Sequence, residues 1–172
     1  IEVGIFLMWG YPGETLEDIA LTVELVKQAQ PDQFVWAEPY IRQAQEAGKY
    51  VVGYDPIEMY ERMRALMGFE ELMVAPYTQP EGLNALLDRL TDLTVAVIAQ
   101  WASTGGVDGY MTWEDWGLQT SLQMKVETFR EFYKPRYARI VETAHSYGMH
   151  YFWHNCGHIL DMIPDMIEIG LD

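Results

Sequence analysis

Late in the chain the sequence runs YFWHNCGH, residues 151–158, placing His154 and the only cysteine, Cys156, two positions apart. Successive side chains of a strand point to opposite faces, so an extended backbone turns both groups toward one space. Imidazole nitrogen and thiolate sulfur are favoured zinc ligands, yet a catalytic zinc takes about three protein ligands and keeps a further position open. The pair is therefore either half of a metal centre or two neighbouring core residues, because a buried cysteine in an aromatic strand is ordinary packing. Candidates for a third ligand are His158, Glu114 and Asp115, or a residue beyond Asp172. His145 and His150 read as solvated or packed.

A second group of chemically capable residues is TWEDWG, residues 112–117. Its adjacent carboxylates, Glu114 and Asp115, are the candidate catalytic pair, able to act as acid and base, hold a cationic group or complete a metal sphere. Neighbours on a strand diverge, so the two must do different jobs: one points inward while the other is solvated or caps a helix. Asp115 is the one expected to line a cavity, with Trp113 and Trp116 as its apolar walls or as simple packing. A third stretch, GYPGET at residues 10–15, lacks the Gly-Lys-Ser/Thr ending of a phosphate loop and is explained by a turn and a capped helix.

The elements that must carry these residues alternate between strand and helix. Residues 1–9 form an apolar run suited to a buried parallel strand, and a helix capped by Thr15 follows until Pro31. QFVWA and KYVVG read as short strands, and PIEMYERMRALMG as a helix from Pro56 to Gly68. A loop is expected between Ala75 and Pro80. From Glu81 a stripe of Leu83, Leu86, Leu87, Leu90, Thr94, Val97, Ile98 and Trp101 predicts a long helix ending at STGG. VDGYMTW is the next strand, and a helical stretch through Phe129 and Ala144 follows, with Pro135 kinking or dividing it and Gly148 closing it. MHYFWHNC is the last strand and HILDMIPDMIEIG the last helix, with Ile159, Met162, Ile163, Met166 and Ile167 on its apolar side. Another strand is expected to begin at the final Leu-Asp.

Alternation without hairpin turns implies an α/β fold with a parallel sheet and outer helices, either a barrel or a doubly wound sheet. A complete eight-unit barrel takes about 250 residues, so the 172 residues here predict a partial TIM-type (β/α) barrel.

The net charge of −15, from 26 acidic against 11 basic residues with no basic block, argues against nucleic acid, whose backbone needs clustered Lys and Arg. No apolar run is long enough for a membrane span and no secretory signal begins the chain, which gives the expectation of a cytoplasmic protein without a membrane partner. One cysteine makes no internal disulfide and excludes an all-cysteine zinc site within one chain.

From about Glu38 to Asp172 the chain resembles the uroporphyrinogen decarboxylase superfamily, most closely in DGYMTWEDWGLQ, FREFYKPRYARIVETAHSYGM and HNCGHI. The resemblance implies an α/β barrel and one of two chemistries. One is cofactor-independent removal of carboxyl groups from a tetrapyrrole; the other is zinc-dependent methyl transfer between a corrinoid carrier and a thiol. In the methyltransferase branch a His-x-Cys pair on a strand binds zinc with a second, much later cysteine, and His154-Asn155-Cys156 resembles that pair. The later cysteine would fall after Asp172. Relatives often carry Ser-Pro where Lys125-Val126 stands here, and the arginine-rich segment of the true decarboxylases has no counterpart beyond Arg42.

Residues 1–35 resemble instead a late barrel segment of corrinoid-type radical SAM enzymes, most closely in VGIFLMWGYPGETLEDIALTVELVKQAQPDQF, without the Cys-x3-Cys-x2-Cys motif that would hold their cluster. The expected organisation is therefore a strand–helix unit over 1–36 joined near Trp36–Tyr40 to a partial uroporphyrinogen-decarboxylase-like barrel over 37–172. The resemblance implies zinc as cofactor, a corrinoid as a methyl-carrying partner on a corrinoid protein, and a small thiol or a tetrapyrrole as substrate. The alternatives to a methyltransferase are a metal-free decarboxylase, in which Asp115 stabilises a protonated pyrrole, and a non-catalytic fragment or fusion that self-associates through open sheet edges.

Overall fold

The structure is a computed structural model that describes residues 37–172, with side-chain packing from Ile41 onward. The strand–helix unit expected over 1–36 and the junction at its end lie outside the described residues, as does most of the strand expected at QFVWA, whose last residue starts helix α1 (Ala37–Glu46).

Three strands, β1 (Val52–Tyr54), β2 (Gly109–Glu114) and β3 (His150–Asn155), form one parallel sheet in the order β1-β2-β3. Helices α2 (Met59–Met67), α3 (Phe69–Thr78) and α4 (Pro80–Thr104) connect β1 to β2. A helical run made of α5 (Val126–Thr128), a π-helical turn (Phe129–Tyr133) and α6 (Lys134–Ser146) connects β2 to β3. After β3 come a 3-10 turn (Leu160–Met162) and α7 (Ile163–Glu168). Parallel strands that follow one another in chain order form an arc of a barrel and equally one half of a doubly wound sheet. The described chain is α/β, consistent with the partial barrel expected from its sequence.

Alternation along β2 separates two faces. Tyr110, Thr112 and Glu114 are buried beneath the helices, whereas Trp113 is 48% exposed on the other face, beside Val52 and Tyr54 of β1 at 44% and 45%. The helix-covered face is closed by α4, whose Leu83, Leu87, Leu90 and Ile98 are buried, each contributing about 1.5–3 kcal/mol by leaving water. Trp116, just beyond β2, is fully buried between a stacked Tyr60 ring at 4.0 Å and the edges of Tyr133 at 4.7 Å and Phe129 at 5.2 Å.

The structure departs from the sequence expectation at two elements. The loop expected from Ala75 is the last turn of α3, which carries Pro76 inside it and is held by burial of Leu72 and Ala75. On the last helix Met162 and Met166 are buried, but Ile163 and Ile167 are 38% and 70% exposed, because they face away from the sheet. The kink or division expected at Pro135 falls where the π-helical turn gives way to α6, with Pro135 in the first turn of α6.

Candidate metal centre

Register across β2 and β3 builds the site. Trp113 pairs with His154 and Glu114 with Asn155, so one step further Asp115 stands level with Cys156 at the C-terminal ends of the strands. Residues level with one another in adjacent strands share a face. Asp115 and Cys156 therefore share the face of Trp113 and His154, whose rings lie 4.8 Å apart. Tyr54 of β1 continues this aromatic row, edge-on to Trp113 at 6.3 Å.

The Cys156 sulfur lies 3.4 Å from Nε2 of His154, and the Cys156 backbone N–H donates to Oδ1 of Asp115 at 3.2 Å. Ligand atoms of Asp115, His154 and Cys156 all fall within 4.8 Å of one another. One oxygen, one nitrogen and one sulfur donor converging from two strand ends suit a zinc ion and leave a position for a further ligand. The exposed Cys156 thiol is held above its ordinary pKa, first by its hydrogen bond to Asp115, then by loss of hydration, then by the charge of Asp115. A metal ion reverses that bias, since a coordinating thiol is deprotonated.

The loops that follow the two strands meet directly above the cluster. Gly117 N–H donates to the Cys156 carbonyl at 3.1 Å, and His158 N–H donates to the Leu118 carbonyl at 2.7 Å. The approach is so close that a Cβ added at Gly117 would lie 2.5 Å from Gly157 backbone, and one added at Gly157 would lie 2.5 Å from Gly117. Gly157 also has φ +79°, so glycine is required there for both space and conformation. His158 is used in this loop pairing and is not brought into the ligand cluster.

Glu114 is separated from the other three candidates. It is 1% exposed and points beneath the sheet, where its carboxylate accepts from Tyr60 N–H at 3.0 Å, Glu61 N–H at 3.1 Å and the Tyr137 hydroxyl at 2.7 Å. Burial pushes its pKa well above the usual carboxylate value, against the opposing pull of these donors. Tyr60 and Glu61 occupy the first turn of α2, whose cap residue, Glu58, sits at φ 49° and makes no side-chain cap. Glu114 thus serves as a long-range cap for donors that no local residue satisfies. Asp55, just before the Pro56 at which the sequence starts this helix, accepts instead from Ile57 N–H at 2.8 Å, so no local signal in the sequence pointed to Glu114.

Of the two tryptophans expected as cavity walls or as simple packing, Trp113 lies on the open face and Trp116 is core packing. A separate groove of about 580 Å³, lined among others by Tyr77, Met124, Lys125 and Asp161, contains none of the four candidate residues.

Residues 59–172, two thirds of the chain and including every candidate ligand, match the family model described as uroporphyrinogen decarboxylase (URO-D). No curated protein and no solved structure matches the chain. No described helix is long and apolar enough to cross a membrane.

Proposed function

The chain belongs to the uroporphyrinogen decarboxylase family, and on that premise we propose a zinc-dependent, methyltransferase-like function in which a thiol receives a methyl group from a corrinoid. The observation that carries this reading is the gathering of Asp115, His154 and Cys156 ligand atoms within 4.8 Å. Each would contribute one ligand. Zinc held there would lower the pKa of an incoming thiol and supply its thiolate as nucleophile.

The chain's own residues prepare for this chemistry. The fixed backbone of β3 presents nitrogen and sulfur on one face, and the Cys156 amide directs the Asp115 carboxylate toward them. Trp113, tilted beside His154 with ring centres 4.8 Å apart, supplies an apolar wall on one flank of the cluster. The exposed aromatic row through Tyr54 and Trp113 gives an apolar approach to the cluster, in keeping with a corrinoid presented by a carrier protein.

Cobalt titration tests the reading, because a thiolate-bound cobalt ion gives a charge-transfer band that carboxylate and imidazole sites lack. The wild-type protein is expected to show that band at one equivalent, Cys156→Ala to lose it, and Asp115→Ala and His154→Ala to bind more weakly. Demethylation of a methylated corrinoid in the presence of a small thiol should then follow metal loading. A cobalt spectrum unchanged in Cys156→Ala would remove the proposed ligand set.

A further inference from the structure

We propose that Glu114, although outside the ligand cluster, is the residue that positions Asp115 within it, by anchoring the end of β2 to α2 and α6; this rests on the metal-site reading above. Glu114 is the last residue of β2 and Asp115 the next one, so whatever fixes the first orients the second. Alternation then obliges Asp115 to face away from the helices, toward His154 and Cys156. The anchor ties three elements together: the backbone of β2, the first-turn amides Tyr60 and Glu61 of α2, and the Tyr137 hydroxyl of α6. Tyr137 is itself held, with its ring 4.2 Å from Trp153 of β3, the residue before His154. The same set of contacts therefore reaches both strands that carry ligands.

As the acceptor for two amides and a phenol, Glu114 also stabilises the fold, and an apolar residue in its place is expected to lower stability by leaving those donors unpaired. What an apolar residue does not reproduce is direction: two oxygens fixed by three donors set the rotation of the strand end. Groups that orient metal ligands without touching the metal typically change affinity by about 10–100-fold when removed.

The test compares Glu114→Ala, Glu114→Gln and Tyr137→Phe with a control, Leu87→Ala, which cuts into the α4 core away from the site. Zinc affinity is read by competition with a chromogenic chelator, folding by the thermal midpoint, and Cys156 exposure by the rate of iodoacetamide alkylation in metal-free protein. Glu114→Ala is expected to weaken zinc by about 10–100-fold. It should also speed alkylation, since Asp115 no longer faces the thiol. Glu114→Gln keeps an oxygen for the two amides and reverses the third bond, the phenol oxygen accepting from its N–H₂, and is expected to restore both readouts. Tyr137→Phe should fall between, and Leu87→Ala should lower the thermal midpoint while leaving zinc affinity unchanged. Wild-type zinc affinity in Glu114→Ala overturns the positioning role and leaves the metal-site reading standing, and a Glu114→Gln loss as deep as that of alanine overturns it as well. If the wild-type protein takes no zinc, that reading falls and alkylation decides the inference: rates equal across the variants overturn it. If the alanine variant does not fold, unchanged zinc affinity and alkylation in Tyr137→Phe overturn it instead.

Discussion

Gly117 and Gly157 set how closely the loops above the cluster can approach, and they provide a prediction that separates space from backbone strain. Gly148 and Gly157 both have positive φ, at +76° and +79°, but a Cβ at Gly148 meets nothing within 4 Å whereas one at Gly157 meets backbone at 2.5 Å. Gly148→Ala is expected to cost only the left-handed conformation, about 1–2 kcal/mol. Gly157→Ala must in addition part the two loops, and is expected to cost clearly more by thermal denaturation and to weaken metal binding, since it shifts the neighbouring Cys156. The potential of this region was partly legible in the sequence: spacing by two turned His154 and Cys156 to one side, and Gly157 marked a close approach. Selection of Asp115 over Glu114 and His158 as their companion was not legible, because it depends on the β2–β3 register, which no local pattern encodes.

Asp165 shows how the helices are fastened to one another. It is 3% exposed at the start of α7 and accepts from Arg130 Nε at 2.9 Å and Lys134 Nζ at 2.7 Å, tying α7 to the helical run before β3. Burial alone would raise its pKa, but hydrogen bonds from Lys134 and then Arg130 outweigh it and hold the carboxyl below 3.8. A lowered folded pKa makes the contribution complete above the unfolded value and lost as pH falls through the folded one. Asp165→Asn is therefore expected to be less stable than wild type by about 1–2 kcal/mol at neutral pH. The difference should shrink toward zero in acid, below the ordinary carboxylate range, which a pH series of thermal midpoints would reveal. Trp116→Ala should cost more, about 3–5 kcal/mol, because it empties the centre of an aromatic cluster. At this scale α4 was legible because its apolar stripe runs for many turns, whereas α3 was not: Pro76 and a short polar start mask a helix that exists through the burial of Leu72 and Ala75.

Across the described molecule, a three-stranded arc covered by helices on one face leaves the other face open and, among the described residues, β1 without a strand on its outer side. Unpaired strand edges template further pairing. Self-association that rises with protein concentration is therefore expected in sedimentation velocity, moderated by the repulsion of a net charge of −15. The parallel α/β character was legible from strand–helix alternation, and the family from the EDWGLQ and HNCGHI stretches, while the in-order arrangement of strands needed three dimensions. The central claim remains that Asp115, His154 and Cys156 form one zinc site. Its most direct measurement is the zinc content of the purified protein by elemental analysis, beside that of the His154→Ala/Cys156→Ala double variant. The account predicts about one zinc per chain, as for a single catalytic centre, absent from the double variant. Zinc missing from the wild-type protein after growth with added metal, or retained in full by the double variant, would contradict it.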